Sequence, residues 1–381
     1  MIRAAYLHIP FCTHICHYCD FNKVFLKGQP VMEYLQAMEQ EMRRTIAQFP
    51  TDQLHTIFVG GGTPTALDIR QLDFLLTSIH NYLPFVADDV EFTLEANPNE
   101  LSREKLQLLK EAGVNRLSIG VQTFDDELLK HIGRTHRQTD VLRALEAAKA
   151  VGFSNVSIDL MYGLPGQTIA QLQADLALAF SLDVQHISAY SLIIEPKTVF
   201  YNLMRKGNLS LPDQEEEAEM YEEIIKKMEE NKYNQYELSN YTRPGFESRH
   251  NLTYWNNEEY YGIGAGAHSY VNGTRNVNAR PLKKYIELIQ QGKLPYIEHH
   301  EVSETERMEE EMFLGLRKME GVAKQRFYEK FHRSVHDVFA EVIENEKEKG
   351  LLEETATHLR LTHRGKLLGN EVFQSFLGTY E

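Results

Sequence analysis

The chain has three cysteines, Cys12, Cys16 and Cys19, all within one eight-residue window. The spacing C-x3-C-x2-C on a single loop can set three thiolates at three corners of a cubane 4Fe–4S cluster. The fourth iron would then lack a protein ligand, and a small molecule carrying an amine and a carboxylate could chelate it. Zinc is the competing reading, with His8, His14 or His17 completing a Cys3His tetrahedron. Zinc sites usually take their ligands from two separated knuckles, and no second cysteine pair exists. The cluster is therefore the preferred reading. An odd number of cysteines packed this closely is no disulfide framework.

Further residues suit the grip of a small zwitterionic ligand. Gly60-Gly61-Gly62-Thr63-Pro64-Thr65 lets backbone approach a ligand with no Cβ in the way. Glu95 and Asp159 can accept hydrogen bonds from hydroxyls or an ammonium group, Arg134 can fork onto a carboxylate, and Gln122 can serve either way. Singly, each is more often a solvated or paired polar residue. Together, at successive strand ends, they outline a pocket. In Arg249-His250-Asn251-Leu252-Thr253-Tyr254-Trp255, a neutral imidazole could ligate iron and two aromatic faces could flank a flat ligand. The alternative is that His250 and Asn251 satisfy buried groups while Tyr254 and Trp255 pack.

These residues need a frame, and the first half of the chain supplies one. Apolar β-rich runs at 4–9, 55–59, 90–96, 116–121, 156–161 and 186–193 alternate with amphipathic helical runs. Such a pattern predicts parallel strands with crossover helices, either an α/β barrel or an open sheet. Ligands gather at the carboxyl ends of such strands. From about residue 196 the character changes, with an acidic helix over 212–230 and a hairpin around Asn272-Gly273. A capping box at Ser303 and Glu306 opens a helical stretch that ends in a small hairpin. The expected organisation is a catalytic-type core at 1–195, an α+β extension at 196–295 carrying the His250 motif, and a winged-helix-like module at 296–381.

Cys12-x3-Cys16-x2-Cys19 after a first strand resembles the radical S-adenosylmethionine (SAM) superfamily signature. Tyr6-x-His8-Ile9-Pro10-Phe11-Cys12, the triple-glycine run, Glu95-Ala96-Asn97-Pro98, Ser118-Ile119-Gly120-Val121-Gln122-Thr123 and 159–168 together resemble the oxygen-independent coproporphyrinogen III oxidase family. The resemblance implies a partial (β/α)6 radical SAM barrel. It also implies SAM contacts at Tyr6, Tyr18, Gly61, Gly62, Thr63, Glu95, Gln122, Arg134 and Asp159, the last three in a second SAM-type pocket. The oxidase pattern carries a fourth cysteine where this chain has Phe21, and a longer leader before its cysteines. Both departures, with the H-N-x-x-Y-W run, resemble the heme chaperones that branch from that family. That resemblance implies heme held by His250, Tyr254 and Trp255, and transfer to acceptor heme proteins such as membrane respiratory enzymes; His268 is a weaker candidate for the heme ligand. The alternative it leaves is oxidative decarboxylation of coproporphyrinogen III. No residue is assigned a catalytic role.

The composition, 42% hydrophobic and 25% charged, is that of an ordinary globular protein. The 381 residues carry a net charge of −15, which disfavours nucleic acid, a partner that requires phosphate neutralisation. No apolar run approaches the roughly 20 residues of a membrane helix, and the first residues lack a signal-peptide core. A cytoplasmic protein that does not span a membrane is expected.

Overall fold

In the computed structural model, which describes residues 1–378, six strands lie side by side in chain order. They are β1 (Ala4–Ile9), β2 (Thr56–Gly61), β3 (Glu91–Ala96), β4 (Arg116–Gln122), β5 (Val156–Tyr162) and β6 (His186–Ser191). Every neighbouring pair is parallel. The crossover helices begin where side chains can satisfy the first free N–H groups. Asp68 and Thr168 each make a capping box with the glutamine three residues on, and Ser102 accepts from Lys105 N–H. The strands are buried along almost their whole length, as expected for a sheet covered by helices.

Three more strands extend the sheet to nine. Asn240–Thr242 pairs antiparallel with β6 and Asn234–Glu237 lies beyond it, while Tyr261–Ile263 pairs parallel with β1. The sheet therefore stops at two edges, a partial barrel. Residues 196–295, marked by composition as a separate stretch, contribute these strands and also share the main core, with Met220, Ile224, Tyr241, Ile263 and Tyr285 packed among the barrel side chains.

The hairpin at Asn272-Gly273 joins His268–Val271 to Thr274–Asn278. Both turn residues have positive φ, 50° and 73°, the geometry that favours Asn-Gly. Tyr296–Glu301 adds a third strand that the sequence pattern did not suggest. The C-terminal helices surround a small antiparallel sheet and a core of their own built on Met312, Phe327, Phe339 and Leu359. That module is docked by Arg317–Met319. Leu238 N–H donates to Arg317 O and Met319 N–H to Tyr236 O, at 3.1 Å each, so these residues cover the Asn234–Glu237 edge. Among the described residues no helix is long and apolar enough to cross a membrane.

Candidate functional site

The cysteine loop leaves the carboxyl end of β1. Val24 N–H donates to Pro10 O and Leu26 N–H to Cys12 O, so the loop returns beside its own start and forms a short two-strand ladder. Cys12 is buried, while Cys16 and Cys19 are half-buried. Burial pushes the Cys12 thiol up to about 11, so a metal ligand there must release a proton on binding. Thr63 Oγ1 approaches Cys12 Sγ and Arg134 Nη1 approaches Cys16 Sγ, each at 3.6 Å.

The histidines that could turn this loop into a zinc site are partly engaged elsewhere. His8 Nε2 donates to Asn22 O at 2.7 Å, and its Nδ1 lies 2.9 Å from the Tyr6 hydroxyl. His17 Nδ1 donates to His131 O at 2.9 Å. Among the described residues no three His, Cys, Asp or Glu side chains converge on one ion position, as zinc requires. Three thiols on the wall of one cavity suit a multi-iron cluster better.

That cavity holds nearly all the residues singled out above. Cys12, Cys16, Cys19, Tyr18, Gly61, Gly62, Thr63, Glu95, Gln122, Arg134 and Asp159 all line it. The glycines are demanded by the close approach of β1 and β2. Gly61 has φ 111°, and a Cβ there would stand 2.3 Å from the His8 ring, while one on Gly62 would stand 2.8 Å from Ile9 O. Gly61 N–H donates to Glu95 Oε2 at 2.9 Å. Burial, with a smaller push from Asp159, raises the Glu95 carboxyl to about 7. Asp159 is raised by burial too, and accepts from Ser118 Oγ at 3.3 Å. Gln122 takes a left-handed φ of 69° at a register shift between β4 and β5, which re-aims its side chain. Asn97, Ser118 and Lys23 join this wall and were not singled out from the sequence. Asn97 links Arg134 Nη2, at 2.9 Å, to Thr63 Oγ1, at 3.3 Å. Its sequence signals were its place one residue past a strand end and inside the Glu95-Ala96-Asn97-Pro98 run.

Tyr6 stands apart from this group. It lines a neighbouring cavity of about 510 Å3 with Phe21, Tyr254, Tyr260, His268 and Arg280. Phe21 and Lys23 line both cavities. The loop carrying His268 is held from behind. Glu41 accepts from Gly264 N–H at 2.8 Å, from Asn278 Nδ2 at 2.7 Å and from the Tyr285 hydroxyl, and Tyr34 bridges Ala265 N–H to His8 O.

His250 and Trp255 line neither of these two cavities. Helix Arg249–Trp255 lies under the amino ends of the strands. Glu91 accepts from both Arg249 N–H and His250 N–H at 2.9 Å. His250 is 1% exposed, with Nδ1 2.8 Å from Thr56 Oγ1 and Nε2 2.8 Å from the Tyr254 hydroxyl. Burial lowers its imidazole to about 3, so it is neutral. Neither nitrogen is free for iron in this arrangement. Trp255 is not brought to His250 either. His250 and Tyr254 are four residues apart and share a helix face, whereas Trp255 is turned about 100° further round. Its ring meets the Arg317 guanidinium at 4.4 Å, on the side of the C-terminal module.

The sequence matches the Radical SAM superfamily over residues 6–179 and the HemN C-terminal domain over 302–368. It is 58% identical to a protein of Bacillus subtilis (strain 168) named heme chaperone HemW, over 99% of this chain and 100% of that one. It is 45% identical to the heme chaperone HemW of Lactococcus lactis subsp. lactis (strain IL1403), over 98% and 97% of the two chains. For the protein of that name in Escherichia coli (strain K12) the figure is 35%, with the same coverage. The fold is that of the solved coproporphyrinogen III oxidase (HemN) of Escherichia coli, a radical SAM enzyme. The TM-score is 0.85 at 23% identity, covering 98% of this chain and 90% of that one.

Proposed function

This chain belongs to the HemW heme chaperone family within the radical SAM superfamily, and from that premise we propose that it binds heme and passes it to acceptor heme proteins in the cytoplasm or at the membrane face. The full-length kinship to proteins named heme chaperone carries this reading. In it, Cys12, Cys16 and Cys19 hold the 4Fe–4S cluster, with Thr63 and Arg134 placed beside two of the sulfurs. Such a cluster supplies one-electron chemistry toward the SAM sulfonium.

The protein's own contribution is binding and orientation. Gly61 N–H fixes one oxygen of Glu95, whose other oxygen has no protein partner among the described residues and can accept from a ligand hydroxyl or ammonium. Arg134 is fixed by Asn97 and by Gly120 O. In this reading Gln122, Arg134 and Asp159, which line the same cavity as Tyr18 and Thr63, would contact a second SAM-type ligand. Phe21 stands where the oxidase pattern has a fourth cysteine, and it is 65% exposed between the two cavities.

The test is spectroscopic. Anaerobically purified, cluster-loaded protein titrated with hemin should develop a Soret band and then lose it to an added apo-heme protein. Turnover of coproporphyrinogen III with no hemin binding would replace the chaperone reading with the oxidase one.

A further inference from the structure

The cavity of about 510 Å3 beside the cysteine loop lies within the roughly 300–1,000 Å3 range of cofactor sites. One wall is the loop segment Asp20–Lys23; the opposite wall is the glycine-rich turn and hairpin that carry His268 and Arg280. Asn22 ties the two walls together, its Nδ2 donating to Ala265 O at 2.8 Å and to Arg280 O at 3.2 Å. Aromatic surface comes from Tyr6, Phe21, Tyr254 and Tyr260, the last two edge-to-face at 4.7 Å.

Two polar groups in this cavity are unspent. Among the described residues neither the His268 imidazole nor the Arg280 guanidinium makes a hydrogen bond, and Arg280 has no ion pair, whereas His250 has both nitrogens committed. Both side chains line this one cavity. Their backbones are fixed. His268 pairs with Val277 in the hairpin, and a Cβ on Gly262 would stand 1.8 Å from His268 O, so the strands meet with no slack.

Resting on the chaperone reading, we propose that this cavity is the heme site, with His268 as the axial iron ligand, Arg280 paired to a propionate carboxylate, and Phe21 and Tyr254 against the macrocycle. An imidazole free at both nitrogens is what iron needs, and an unpaired guanidinium matches a carboxylate in charge and shape. Phe21 borders both cavities, so the heme edge faces the cysteine loop. His250 acts as a structural residue.

The experiment titrates cluster-loaded wild type, His268→Ala, Arg280→Gln and His250→Gln with hemin, recording difference spectra, iron content and melting temperature. His268→Ala is expected to shift or abolish the Soret band. Arg280→Gln should keep the band position while affinity falls about tenfold, the loss of one charge-assisted hydrogen bond. Hemin dimethyl ester, which lacks the carboxylates, should bind wild type and Arg280→Gln alike. His250→Gln should leave the band unchanged at lower melting temperature. Unaltered spectra and affinities in folded His268→Ala and Arg280→Gln would overturn the site while leaving heme binding by the chain intact. Failure of the wild type to bind hemin would overturn the chaperone reading, and this site with it.

Discussion

Cys12, Cys16 and Cys19 are replaceable by serine in shape but not in chemistry, because a hydroxyl does not ionise to a ligand at neutral pH as a thiol does. Each Cys→Ser variant should therefore lose the cluster, read as iron and sulfide per chain after anaerobic reconstitution; full iron retention by the triple variant would refute the assignment. His250 calls for the opposite kind of test. Truncation to alanine strands the Thr56 and Tyr254 hydroxyls beneath the sheet. A loss of about 1–3 kcal/mol in urea unfolding is expected, with iron content unchanged. The contrast explains what was legible in the sequence. A cysteine ligand set is local, so its spacing alone reveals it. The burial of His250 depends on Thr56 and Glu91, which lie far away in the chain, and no short motif encodes them. Tyr6 was grouped with the SAM contacts by resemblance, yet its hydroxyl meets His8 and it faces the neighbouring cavity.

Elements whose ends carry their own signals were readable. Apolar β-rich runs located all six parallel strands to within a few residues, and Asn272-Gly273 located the hairpin. Tyr261–Ile263 was not readable, since three residues have no periodicity and its pairing with β1 is purely tertiary. That strand leads into the turn that Glu41 supports, an arrangement with a pH signature. Burial raises the fully buried Glu41 carboxyl to about 7, above its ordinary value of 4.5. A raised carboxyl binds its proton more tightly in the folded chain, so its contribution is fully present below about pH 4.5 and is lost as pH rises through 7. The effect is on the order of 3 kcal/mol. Glu41→Gln should flatten the fall in urea stability between pH 5 and 7 relative to wild type, as estimated from linkage. Parallel pH profiles for the two proteins would show that Glu41 is not the titrating group.

At the scale of the molecule, the C-terminal module and the sheet meet at a charged contact. Fully buried Glu237 has Arg317 Nη2 at 3.8 Å, and Arg317 also covers the Trp255 ring. Arg317→Leu leaves a buried carboxylate without its cation, a change that costs about 3–5 kcal/mol for such pairs. Urea unfolding followed by Trp255 fluorescence and by far-UV circular dichroism should then separate into two transitions. Adding Glu237→Leu should restore much of the loss, and no loss in the single variant would mean that the module is held by apolar packing alone. The sharing of one core by 1–195 and 196–295 was not legible in the sequence, because strand partners at both edges are long-range. The path between those edges has a mechanical consequence. After Thr242, one strand in from one edge, the backbone runs beneath the sheet to Tyr261 at the opposite edge. On the way its seven-residue helix is pinned by Glu91 and Thr56. A split ring can normally spring apart at its gap. Here the crossing segment acts as a tie-rod of fixed contour length, so the gap cannot widen unless that helix pulls off its anchors.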